Sequence, residues 1–375
     1  MPPVRPIRIA GAGPSGLAAA IHLARAGYAV EVFERRARAG ARFGGDLQGI
    51  ENWSSDTDAL DELRSLGIDI DFHAAPCSRG AQTDGVRTDR FRFDRPAFYL
   101  VKRGDVPGSL DRSLVRQAGA LGVDLRFGEA CPAGSADIEA TGPRGRAPFA
   151  IDTGIVFETD APDDAVALLN DEVAPGGYAY LLITQGYGCC CTMLFEDFPS
   201  IHERFARARE LLVERRGITV RNPRPVGGLG HVRASAGWMQ GSALQVGEAA
   251  GLQDFLWGFG IRLAVRSGAL AAASVLDATD YEAAAEGAFA GALRAGVMNR
   301  WLWECGRGNH YAAVRGALRT LGPMPVLQWT HRERWWHRLL APLGERALRR
   351  RYPAVFGPSD GMRAASAVAP DPSAA

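Results

Sequence analysis

The chain has 375 residues, of which 47% are hydrophobic, and a formal net charge of +1. This length and hydrophobic content can bury a large core in about two connected domains, and the near-neutral charge argues against a nucleic-acid-binding protein. No charged and apolar leader precedes the first predicted strand, so we expect no secretory signal, and no run of about eighteen apolar residues predicts a membrane span.

The chain begins with the pattern of a strand, a glycine-rich turn and a helix. An apolar run ends at Ala10, and Leu17–Ala26 has helical periodicity. Between them, Gly11 permits a tight turn, Gly13 lets the backbone approach a pyrophosphate, and Gly16 lets the helix pack closely on the strand. The candidate cofactor-binding residues of this turn are Gly11, Gly13, Pro14, Ser15 and Gly16.

A second predicted strand, Tyr28–Phe33, leads into Glu34 and Arg35. An acidic residue at this distance from the glycine turn is placed to accept hydrogen bonds from the free hydroxyls of a ribose. The alternative is a solvated carboxylate at a strand end. With the strand before the turn and the helix after it, the pattern predicts a dinucleotide site that includes Glu34 and Arg35.

Further elements of this domain follow a glycine-containing loop, Arg42–Trp53, in which Arg42 either contacts the pyrophosphate or is solvated. Periodicity predicts a helix over Gly108–Leu121, a strand over Val123–Phe127 and a short strand that begins at Asp137. The nucleotide-binding domain is therefore expected to be assembled from separate parts of the chain.

The segment from Pro148 to about Val232 alternates between apolar and polar residues, which predicts an antiparallel sheet. Residues two apart on a strand face the same way, so Tyr178 and Tyr180 are expected to share one face. Three of the six cysteines are adjacent, at 189–191, and the cysteine spacing fits neither a metal site nor a disulfide framework. This pattern favours a reducing cytoplasm, and no bound metal is expected.

Several motifs occur in the order and spacing of one flavoprotein family. They are Gly11–Gly16, Glu34, Lys102 with Arg103, Ala140–Gly142 and Val246–Gly268. Over about the first 275 residues, the chain resembles the geranylgeranyl reductases and related electron-transfer oxidoreductases. The wider class shares the fold of the flavin-dependent aromatic hydroxylases. The resemblance implies FAD as the cofactor.

The resemblance also implies the architecture. We expect an α/β protein with a Rossmann-like FAD-binding domain, an inserted antiparallel β-sheet substrate domain and C-terminal helices. The tail is rich in Ala, Pro and Ser and is expected to be disordered. The expected boundaries are 1–75, 100–147 and 241–290 for a discontinuous FAD-binding domain, 76–99 and 148–240 for the substrate domain, 291–357 for the C-terminal helical region, and 358–375 for the tail.

In this family, the strand that ends at the position of Gly247 delivers an acidic residue to the ribityl chain of the flavin. The next helix points its N-terminus at the isoalloxazine. This chain has Glu248 where the family has aspartate, and Phe255 where it has proline, so its ribityl contact is expected to differ. The further cofactor-binding residues implied by the resemblance are Arg103, Thr141, Gly142, Gly247, Glu248, Gly258, Gly260 and Ile261.

The candidate catalytic residues are Tyr178, Tyr180 and Trp257. Pro175–Tyr180 is similar to the family's aromatic and glycine motif, in which an aromatic pair lines the cavity above the flavin. A phenol can donate a proton to the carbon partner of a hydride transfer, and the alternative is that both tyrosines are packing residues. Trp257 either narrows the pocket beside the flavin or belongs to the core. No histidine lies in a recognisable catalytic motif.

The C-terminal region is both basic and aromatic. Residues 294–351 contain twelve arginines, three glutamates and five tryptophans. Such a helical stretch can lie on an anionic membrane surface, and the alternative is a helical cap whose tryptophans pack on the core. We therefore expect a cytoplasmic protein with either a peripheral membrane contact or an internal packing role for this region.

The preferred hypothesis is an FAD-dependent reductase or dehydrogenase that exchanges hydride between flavin N5 and an apolar small molecule. One alternative is a flavin-dependent monooxygenase, and another is a non-catalytic flavin-binding homologue. The sequence has no second evident unit of strand, glycine turn and helix. We therefore expect NAD(P)H to bind transiently as electron donor, or electrons to arrive from another carrier.

Overall fold

A computed structural model describes residues 5–142, 147–232, 237–306 and 310–356 of the chain. The tail at 358–375, predicted to be disordered, lies outside these residues. In chain order, the strands are β1 (Ile7–Ala10), β2 (Val30–Glu34), β3 (Gly44–Glu51), β4 (Ala74–Cys77), β5 (Arg79–Thr83), β6 (Thr88–Arg92), β7 (Phe98–Gly104), β8 (Asp124–Phe127), β9 (Ile138–Glu139), β10 (Ala150–Glu158), β11 (Asp164–Leu168), β12 (Tyr178–Thr184), β13 (Tyr187–Leu194), β14 (Arg221–Gly230), β15 (Met239–Gln240) and β16 (Ala243–Gln245). The helices are α1 (Pro14–Arg25), α2 (Ala59–Ser65), α3 (Leu110–Ala120), α4 (Ile201–Arg209), α5 (Ile261–Asp277), α6 (Tyr281–Cys305), α7 (His310–Leu321), α8 (Pro323–His331), α9 (Trp335–Arg351) and α10 (Pro353–Phe356).

The first sheet is mostly parallel and carries the glycine-rich turn. Its strand order is β15-β16-β9-β1-β2-β8, and every neighbouring pair except β15 and β16 runs parallel. α1 leaves the carboxyl end of β1 and packs against α3 and α5. Because parallel strands point the same way, the turns that follow β1, β2, β9 and β16 lie along one edge of the sheet.

The second sheet is mostly antiparallel, with the order β14-β10-β13-β12-β11-β5-β6. Only β11 and β5 run parallel within it. The sequence predicted this sheet over Pro148–Val232 but did not predict α4, which lies inside that segment and continues as a π-helical turn, Glu210–Glu214. α4 is mostly polar, so the apolar alternation that indicated the strands carried no signal for it.

A third sheet, of order β3-β7-β4, joins the other two. β3 contacts α5 of the nucleotide-binding part and also β10, β13 and β14 of the antiparallel sheet. One face of the antiparallel sheet is therefore held over the loops that follow the parallel strands.

Helices α6 to α10 form the C-terminal part of the described chain, where the sequence predicted C-terminal helices. α9 packs along α6, and Arg300 of α6 is buried between the rings of Phe149 and Phe195 while it pairs with Glu304. The hydroxyl of Tyr352 also donates to Glu304 (2.7 Å), which ties the end of α9 to α6. Within the described ranges, we find no helix whose length and hydropathy would let it cross a bilayer.

The contact between α1 and α5 gives a first testable prediction. A Cβ atom at Gly268 of α5 would lie 2.0 Å from the carbonyl oxygen of Ser15. We expect Gly268→Ala to push the two helices apart and to lower the free energy of unfolding by about 3 kcal/mol in urea titrations. Gly287→Ala in α6 is the matched control, since a Cβ there meets nothing within 4 Å, and we expect it to stabilise by roughly 0.5–1 kcal/mol. Equal stabilities for the two variants would contradict the close contact.

Candidate functional site

The glycine-rich turn brings neighbouring backbone segments into close contact. At Gly11, where φ is +106°, a Cβ atom would lie 2.2 Å from the carbonyl oxygen of Ala140. At Gly16 it would lie 2.0 Å from the carbonyl oxygen of Gly11. At Gly13, by contrast, a Cβ would meet nothing within 4 Å, and the N–H groups that begin α1 have no side-chain cap. This open helix N-terminus suits an anion such as a pyrophosphate.

Glu34 ends β2 beside the same turn. Its Oε2 atom accepts a hydrogen bond from the backbone N–H of Ala12 (3.1 Å), and its Oε1 atom accepts one from Arg36 (3.0 Å). Because a carboxylate offers about four lone-pair directions, both oxygens can still accept a hydrogen bond from a ribose hydroxyl. The neighbouring Arg35 is exposed to solvent.

The second glycine segment lies against the first, although more than two hundred residues separate them. Gly247 has a φ of +61°, and a Cβ there would lie 2.6 Å from the hydroxyl oxygen of Ser15. The N–H of Gly247 donates to the hydroxyl of Ser267 on α5 (2.9 Å). A Cβ at Gly142 would lie 4.0 Å from a carboxylate oxygen of Glu248. The ends of β1, β9 and β16 therefore meet at one place.

Arg42 and Glu248 form a two-point ion pair. The Nη1–Oε2 and Nη2–Oε1 distances are 3.2 and 3.1 Å. The sequence predicts either a pyrophosphate contact or solvation for Arg42. In the structure its guanidinium pairs with the Glu248 carboxylate, and the pyrophosphate contact stays a prediction. Both side chains are partly exposed, so the pair contributes about 1 kcal/mol or less. A cofactor hydroxyl or phosphate can therefore compete for either partner.

Arg103 is buried behind this pair. It donates to both carboxylate oxygens of Asp111 (2.9 and 3.0 Å) and to Oε1 of Gln48 (2.8 Å). Its guanidinium lies 4.3 Å from the centre of the Phe43 ring, which Arg42 also contacts, at 4.6 Å. Burial lowers the pKa of Arg103, but the carboxylates of Asp111, Asp46 and Glu248 together outweigh this effect and hold the pKa above its usual value. Arg103 thus supports the loop that carries Arg42, and its predicted direct contact with a cofactor stays a prediction.

Thr141 and the residues that begin α5 complete the predicted cofactor set. The Thr141 hydroxyl is 3.5 Å from the carboxylate of Glu139. Gly258 has a φ of +74°, and a Cβ there would lie 3.4 Å from the Tyr178 hydroxyl. Gly260 precedes Ile261, the first residue of α5, and this helix also begins without a side-chain cap.

One face of the antiparallel sheet lies over these loops. Tyr178 donates from its hydroxyl to the carbonyl oxygen of Trp257 (2.6 Å), and Tyr187 donates to that of Gly45 (2.8 Å). The ring centres of Tyr178 and Tyr180 are 6.2 Å apart. Tyr178 and Tyr180 therefore share a face, as the strand alternation predicted. This face contacts the loop before α5 and the start of β3.

The two tyrosines differ in what their hydroxyls can do. Burial is the main cause that raises the pKa of both, so each remains a neutral phenol. The Tyr178 hydroxyl donates its proton to the carbonyl oxygen of Trp257, and this hydrogen bond positions the loop before α5. Tyr180 pairs with Cys191 across β12 and β13, and a thiol is a weaker hydrogen-bond partner than a carbonyl. Tyr180 is therefore the better candidate of the two to give up a proton.

The cysteines are divided between the two faces of the sheet. Cys189 and Cys191 lie on the face with Tyr180, with their Sγ atoms 3.6 Å apart, and Cys190 packs into the opposite core under α4. Burial raises the pKa of Cys190 to a value far above that of a free thiol. These thiols are therefore small apolar groups that shape the face.

Asp152 is a half-buried carboxylate residue on the same face, and the sequence did not reveal it. It pairs with Met193 across β10 and β13, and Met193 pairs with Tyr178 across the next strands. Burial raises the pKa of Asp152 to about 6, with the Asp46 carboxylate adding to the effect and Arg42 opposing it. The sequence feature that could have identified Asp152 is an isolated carboxylate at an inward-facing position of a predicted strand. Such a group can hold a proton near neutral pH.

A second group of residues that the sequence did not reveal, Asp254, His331 and Trp53, links the loop before α5 to the C-terminal helices. The Oδ1 atom of Asp254 accepts hydrogen bonds from the N–H groups of Leu256 (2.8 Å) and Trp257 (3.3 Å). Its Oδ2 atom lies 3.2 Å from Nε2 of His331 on α8, and the indole of Trp53 donates to Nδ1 of that histidine (2.9 Å). Since Nδ1 accepts, the neutral ring carries its proton on Nε2 and donates to Asp254.

The protonation of His331 changes its partners. Burial lowers the pKa of His331, but Asp254, Glu51 and the carbonyl group of Leu327 together raise it above its usual value. In the doubly protonated ring, Nδ1–H would donate to the carbonyl oxygen of Leu327, 3.1 Å away, and could no longer accept from Trp53. Trp53 is buried edge-on against Phe259, at 4.7 Å between ring centres.

Trp257 occupies an aromatic cluster beside the loop. Its ring centre lies 6.1 Å from that of Tyr178 and 5.9 Å from that of Trp303. Its indole Nε1 atom is buried and has no hydrogen-bond partner among the described residues. The predicted catalytic residues Tyr178, Tyr180 and Trp257 are thus brought together, and their chemical roles stay predictions.

The raised pKa of Asp152 gives a prediction about stability. Its pKa rises from about 3.8 in the unfolded chain to about 6 in the folded one, so folding disfavours the ionised form. This destabilisation is absent below about pH 4 and complete above about pH 6. We expect Asp152→Asn to raise the free energy of unfolding at pH 8, by up to about 3 kcal/mol, and to change it little at pH 4.

Urea titrations of the two proteins across this pH range measure the effect. Asp94→Asn, at an exposed position, is the control and should give nearly the same difference at both pH values. An Asp152→Asn effect that does not depend on pH would show that the carboxylate ionises normally.

The histidine link gives a prediction in two steps. His331→Gln keeps a donor for Asp254 but leaves the Trp53 indole without its acceptor, and we expect a loss of about 1–3 kcal/mol in the free energy of unfolding. His331→Leu also leaves the buried Asp254 carboxylate without its histidine donor, and we expect a larger loss, of about 3–5 kcal/mol. Chemical denaturation, followed by tryptophan fluorescence, measures both.

The exposed His202 is the matched control, and His202→Gln should change the stability by less than about 0.5 kcal/mol. If His331→Leu costs no more than His202→Gln, the link does not hold the loop.

Comparisons with known proteins agree with this geometry. A family model described as an NAD(P)-binding Rossmann-like domain matches residues 9–46. A geranylgeranyl bacteriochlorophyll reductase-like protein from Thermoplasma acidophilum is 16% identical, with a TM-score of 0.60, and the match covers 94% of this chain and 99% of that one. A comparison with curated proteins gave no significant match.

Two further solved structures are similar along most of the chain. The flavin-dependent brominase Bmp2 is 15% identical, with a TM-score of 0.61, and the match covers 92% of this chain and 98% of that one. A 2-methyl-3-hydroxypyridine-5-carboxylic acid oxygenase is 18% identical, with a TM-score of 0.54 and coverages of 85% and 94%. Together these similarities show the fold of the chain. They confirm the predicted resemblance, and the chain has the fold of the FAD-binding oxidoreductases.

Proposed function

We propose that the protein is an FAD-dependent oxidoreductase that reduces or dehydrogenates an apolar small molecule. The observation that carries this proposal is the convergence of the open turn at Gly13, the Glu34 carboxylate and the Arg42–Glu248 pair. Gly13, Glu34 and Arg42 come from one stretch of the chain, and Glu248 lies more than two hundred residues later. Gly13, Glu34 and Glu248 lie at the carboxyl ends of parallel strands, where open α/β sheets bind their ligands.

The residues present fit FAD. The N-terminus of α1 at Gly13 would receive the pyrophosphate, and Glu34 would accept from the ribose of the adenosine. Gly247 and the Arg42–Glu248 pair would face the ribityl chain, and the uncapped start of α5 at Gly260 would stabilise negative charge on the isoalloxazine. FAD supplies two-electron chemistry, the exchange of a hydride at N5.

The face above these loops supports an apolar substrate. Between Tyr178 and Cys189 it presents aromatic rings, two thiols and the thioether of Met193. Asp152 is its half-buried carboxylate, and it can be neutral near pH 6. A small molecule without charge can lie on such a face at little desolvation cost.

The same face offers two groups that can move a proton. Reduction of a carbon–carbon double bond adds a hydride to one carbon and a proton to its neighbour, and dehydrogenation removes both. We infer that Asp152 or Tyr180 exchanges this proton, and that Tyr178 and Asp254 position the loop before α5. If Asp152 is the donor, the reductive rate falls as the pH rises above about 6.

A flavin-dependent monooxygenase is the second candidate. It is supported by the similarity to an oxygenase and to a brominase at coverage comparable to that of the reductase-like protein. For either candidate we propose NAD(P)H as a transient electron donor.

The cofactor proposal is tested at Gly13. Its backbone is extended, with a φ of −83°, and a side chain there meets no neighbour. Asp is a favoured N-cap residue, so Gly13→Asp should leave the fold at least as stable. The added negative charge should repel a pyrophosphate, and we expect the Kd for FAD to rise by at least about 100-fold.

Fluorescence titration of the apoprotein with FAD gives the Kd, and thermal unfolding gives the stability. Gly13→Asn, which caps the helix without a charge, separates repulsion from added bulk and should bind FAD more tightly than Gly13→Asp does. A Gly13→Asp protein that binds FAD normally would exclude the proposed pyrophosphate position.

The reaction class is tested on the FAD-loaded protein with NADPH under anaerobic conditions and then with oxygen. Slow reaction of the bleached protein with oxygen supports the reductase. NADPH consumption coupled to oxygen uptake supports the monooxygenase. FAD that binds but that no donor reduces would support the non-catalytic alternative.

A further inference from the structure

The exposed side of α9 is apolar, which is unusual for a surface helix. Trp335, Leu339 and Leu343 are spaced four residues apart, so they lie on one side of the helix. Their exposed fractions are 75%, 67% and 54%. We refer to these three residues as the α9 apolar face.

The opposite side of α9 is the one that packs on the protein. His337, Gly344 and Leu348 are buried there. At Gly344 a Cβ would lie 3.0 Å from the sulfur of Met298 on α6, so the helix lies directly on its neighbour. The α9 apolar face therefore points away from the core. Isolated exposed leucines are common, but a run of three large apolar residues on one helix face indicates a binding surface.

A further tryptophan borders this face. Trp329 of α8 is 41% exposed, and its ring centre is 6.2 Å from that of Trp336. The sequence is compatible with either a surface role or a packing role for the C-terminal tryptophans. The structure separates them, since Trp303 is buried in the aromatic cluster while Trp329 and Trp335 are exposed.

Two arginines lie next to the α9 apolar face, toward the C-terminal end of the helix. Arg346 and Arg350 follow Leu343 by three and seven residues, which places them on the same side of the helix, and both are exposed. Neither has an ion-pair partner among the described residues. The glutamates of the region are paired, Glu304 with Arg300 and Arg351, Glu333 with Arg294 and Arg338, and Glu345 with Arg349.

We propose that the α9 apolar face, with Arg346 and Arg350, docks on an anionic lipid bilayer. The helix lies in the plane of the interface, its tryptophan and leucines enter the headgroup and acyl boundary, and the two arginines contact lipid phosphates. The long arginine side chains let the charge stay at the headgroups while the leucines enter. This proposal does not depend on the flavin activity.

The charge and the size of the surface favour a bilayer over a second copy of the chain. In a two-fold contact, the same face of a second copy would supply two further arginines, while the described glutamates of this region are already paired. Three apolar side chains are also few for a stable protein interface, which uses about 20–30 residues on each side. An anionic bilayer supplies both the phosphates and an apolar layer of any extent.

The docked helix would also lie next to the candidate site. α8 precedes α9 and carries His331, which contacts Asp254 and Trp53. An apolar substrate dissolved in the bilayer would therefore reach the protein on the side where the C-terminal helices contact the loop before α5.

The experiment is a vesicle sedimentation assay with the full chain. The probes are extruded vesicles of phosphatidylcholine alone and of phosphatidylcholine with a third of phosphatidylserine. We expect sedimentation with the anionic vesicles only, and release at high salt because the arginine contribution is screened. Quenching of tryptophan fluorescence by brominated acyl chains should occur in the wild type and fall in Trp335→Phe.

Two variants separate the apolar and the charged contributions. The triple variant Trp335→Ser, Leu339→Ser, Leu343→Ser should lower vesicle binding by at least about 100-fold. Its matched control, Val86→Ser, Leu121→Ser, Leu229→Ser, removes exposed apolar side chains elsewhere and should bind normally. Arg346→Glu with Arg350→Glu should weaken binding by at least about 25-fold. Its control, Arg79→Glu with Arg92→Glu, changes two exposed arginines of the β5–β6 hairpin and should have little effect.

Several results would overturn the proposal. They are the absence of sedimentation with anionic vesicles, equal binding to both kinds of vesicle, and equal effects of each variant and its control. A concentration-dependent dimer that the serine triple variant converts to a monomer, without vesicle binding, would assign the face to a second copy. Circular dichroism and thermal unfolding of each variant verify that any loss of binding comes from the surface and not from unfolding.

Discussion

The close approach of backbone segments around Ser15 holds the candidate site together. A Cβ atom at Gly247 or at Gly268 would lie within 3 Å of Ser15. A Cβ atom at Gly11 would meet the backbone just after β9, at Ala140, in the same way. Because protein interiors are close-packed, such contacts leave no room for partial adjustment. The positions of Glu34 and Glu248 relative to the helix N-terminus depend on them.

Buried ion pairs then fix the elements that surround this contact. The fully buried Arg262 of α5 pairs with Glu62 of α2 (2.5 Å), and Arg103 of β7 pairs with Asp111 of α3. A buried pair adds little net stability over apolar residues of the same size, but loss of one partner costs about 3–5 kcal/mol. Their effect is therefore to exclude other arrangements of α2, α3 and α5. The loops on which the site is built rest on these helices.

The sequence predicted the parts of the site that depend on local pattern. The turn at Gly11–Gly16 and the shared face of Tyr178 and Tyr180 follow from residue spacing alone, and the fold class followed from the resemblance that these motifs carry. The contacts of Asp254 did not, because His331 is 77 residues away from it and Trp53 is 278 residues away from His331. Nothing near His331 in the sequence distinguishes it from a surface histidine.

The exposed side of a C-terminal helix also could not be predicted from the sequence. Composition indicated that residues 294–351 are basic and rich in tryptophan, but composition cannot say which side of a helix faces outward. That choice is made by the packing of His337, Gly344 and Leu348 on α6, which turns Trp335 and Leu339 toward solvent. A helix whose buried side carries a histidine and a glycine is held by shape as much as by hydrophobicity, and its apolar residues remain available to a partner.

The replacement of aspartate by Glu248 can now be interpreted physically. The additional methylene extends the carboxylate by about 1.5 Å along the side chain, and in this chain it meets Arg42 across the gap between the loop after β2 and the turn after β16. The pair is partly exposed, so opening it to admit a cofactor costs about 1 kcal/mol or less. This cost is small beside the binding energy of a dinucleotide held at several points. Glu248 therefore argues for an altered ribityl contact, with the arginine as a second partner, and gives no reason to infer that the site has lost its cofactor.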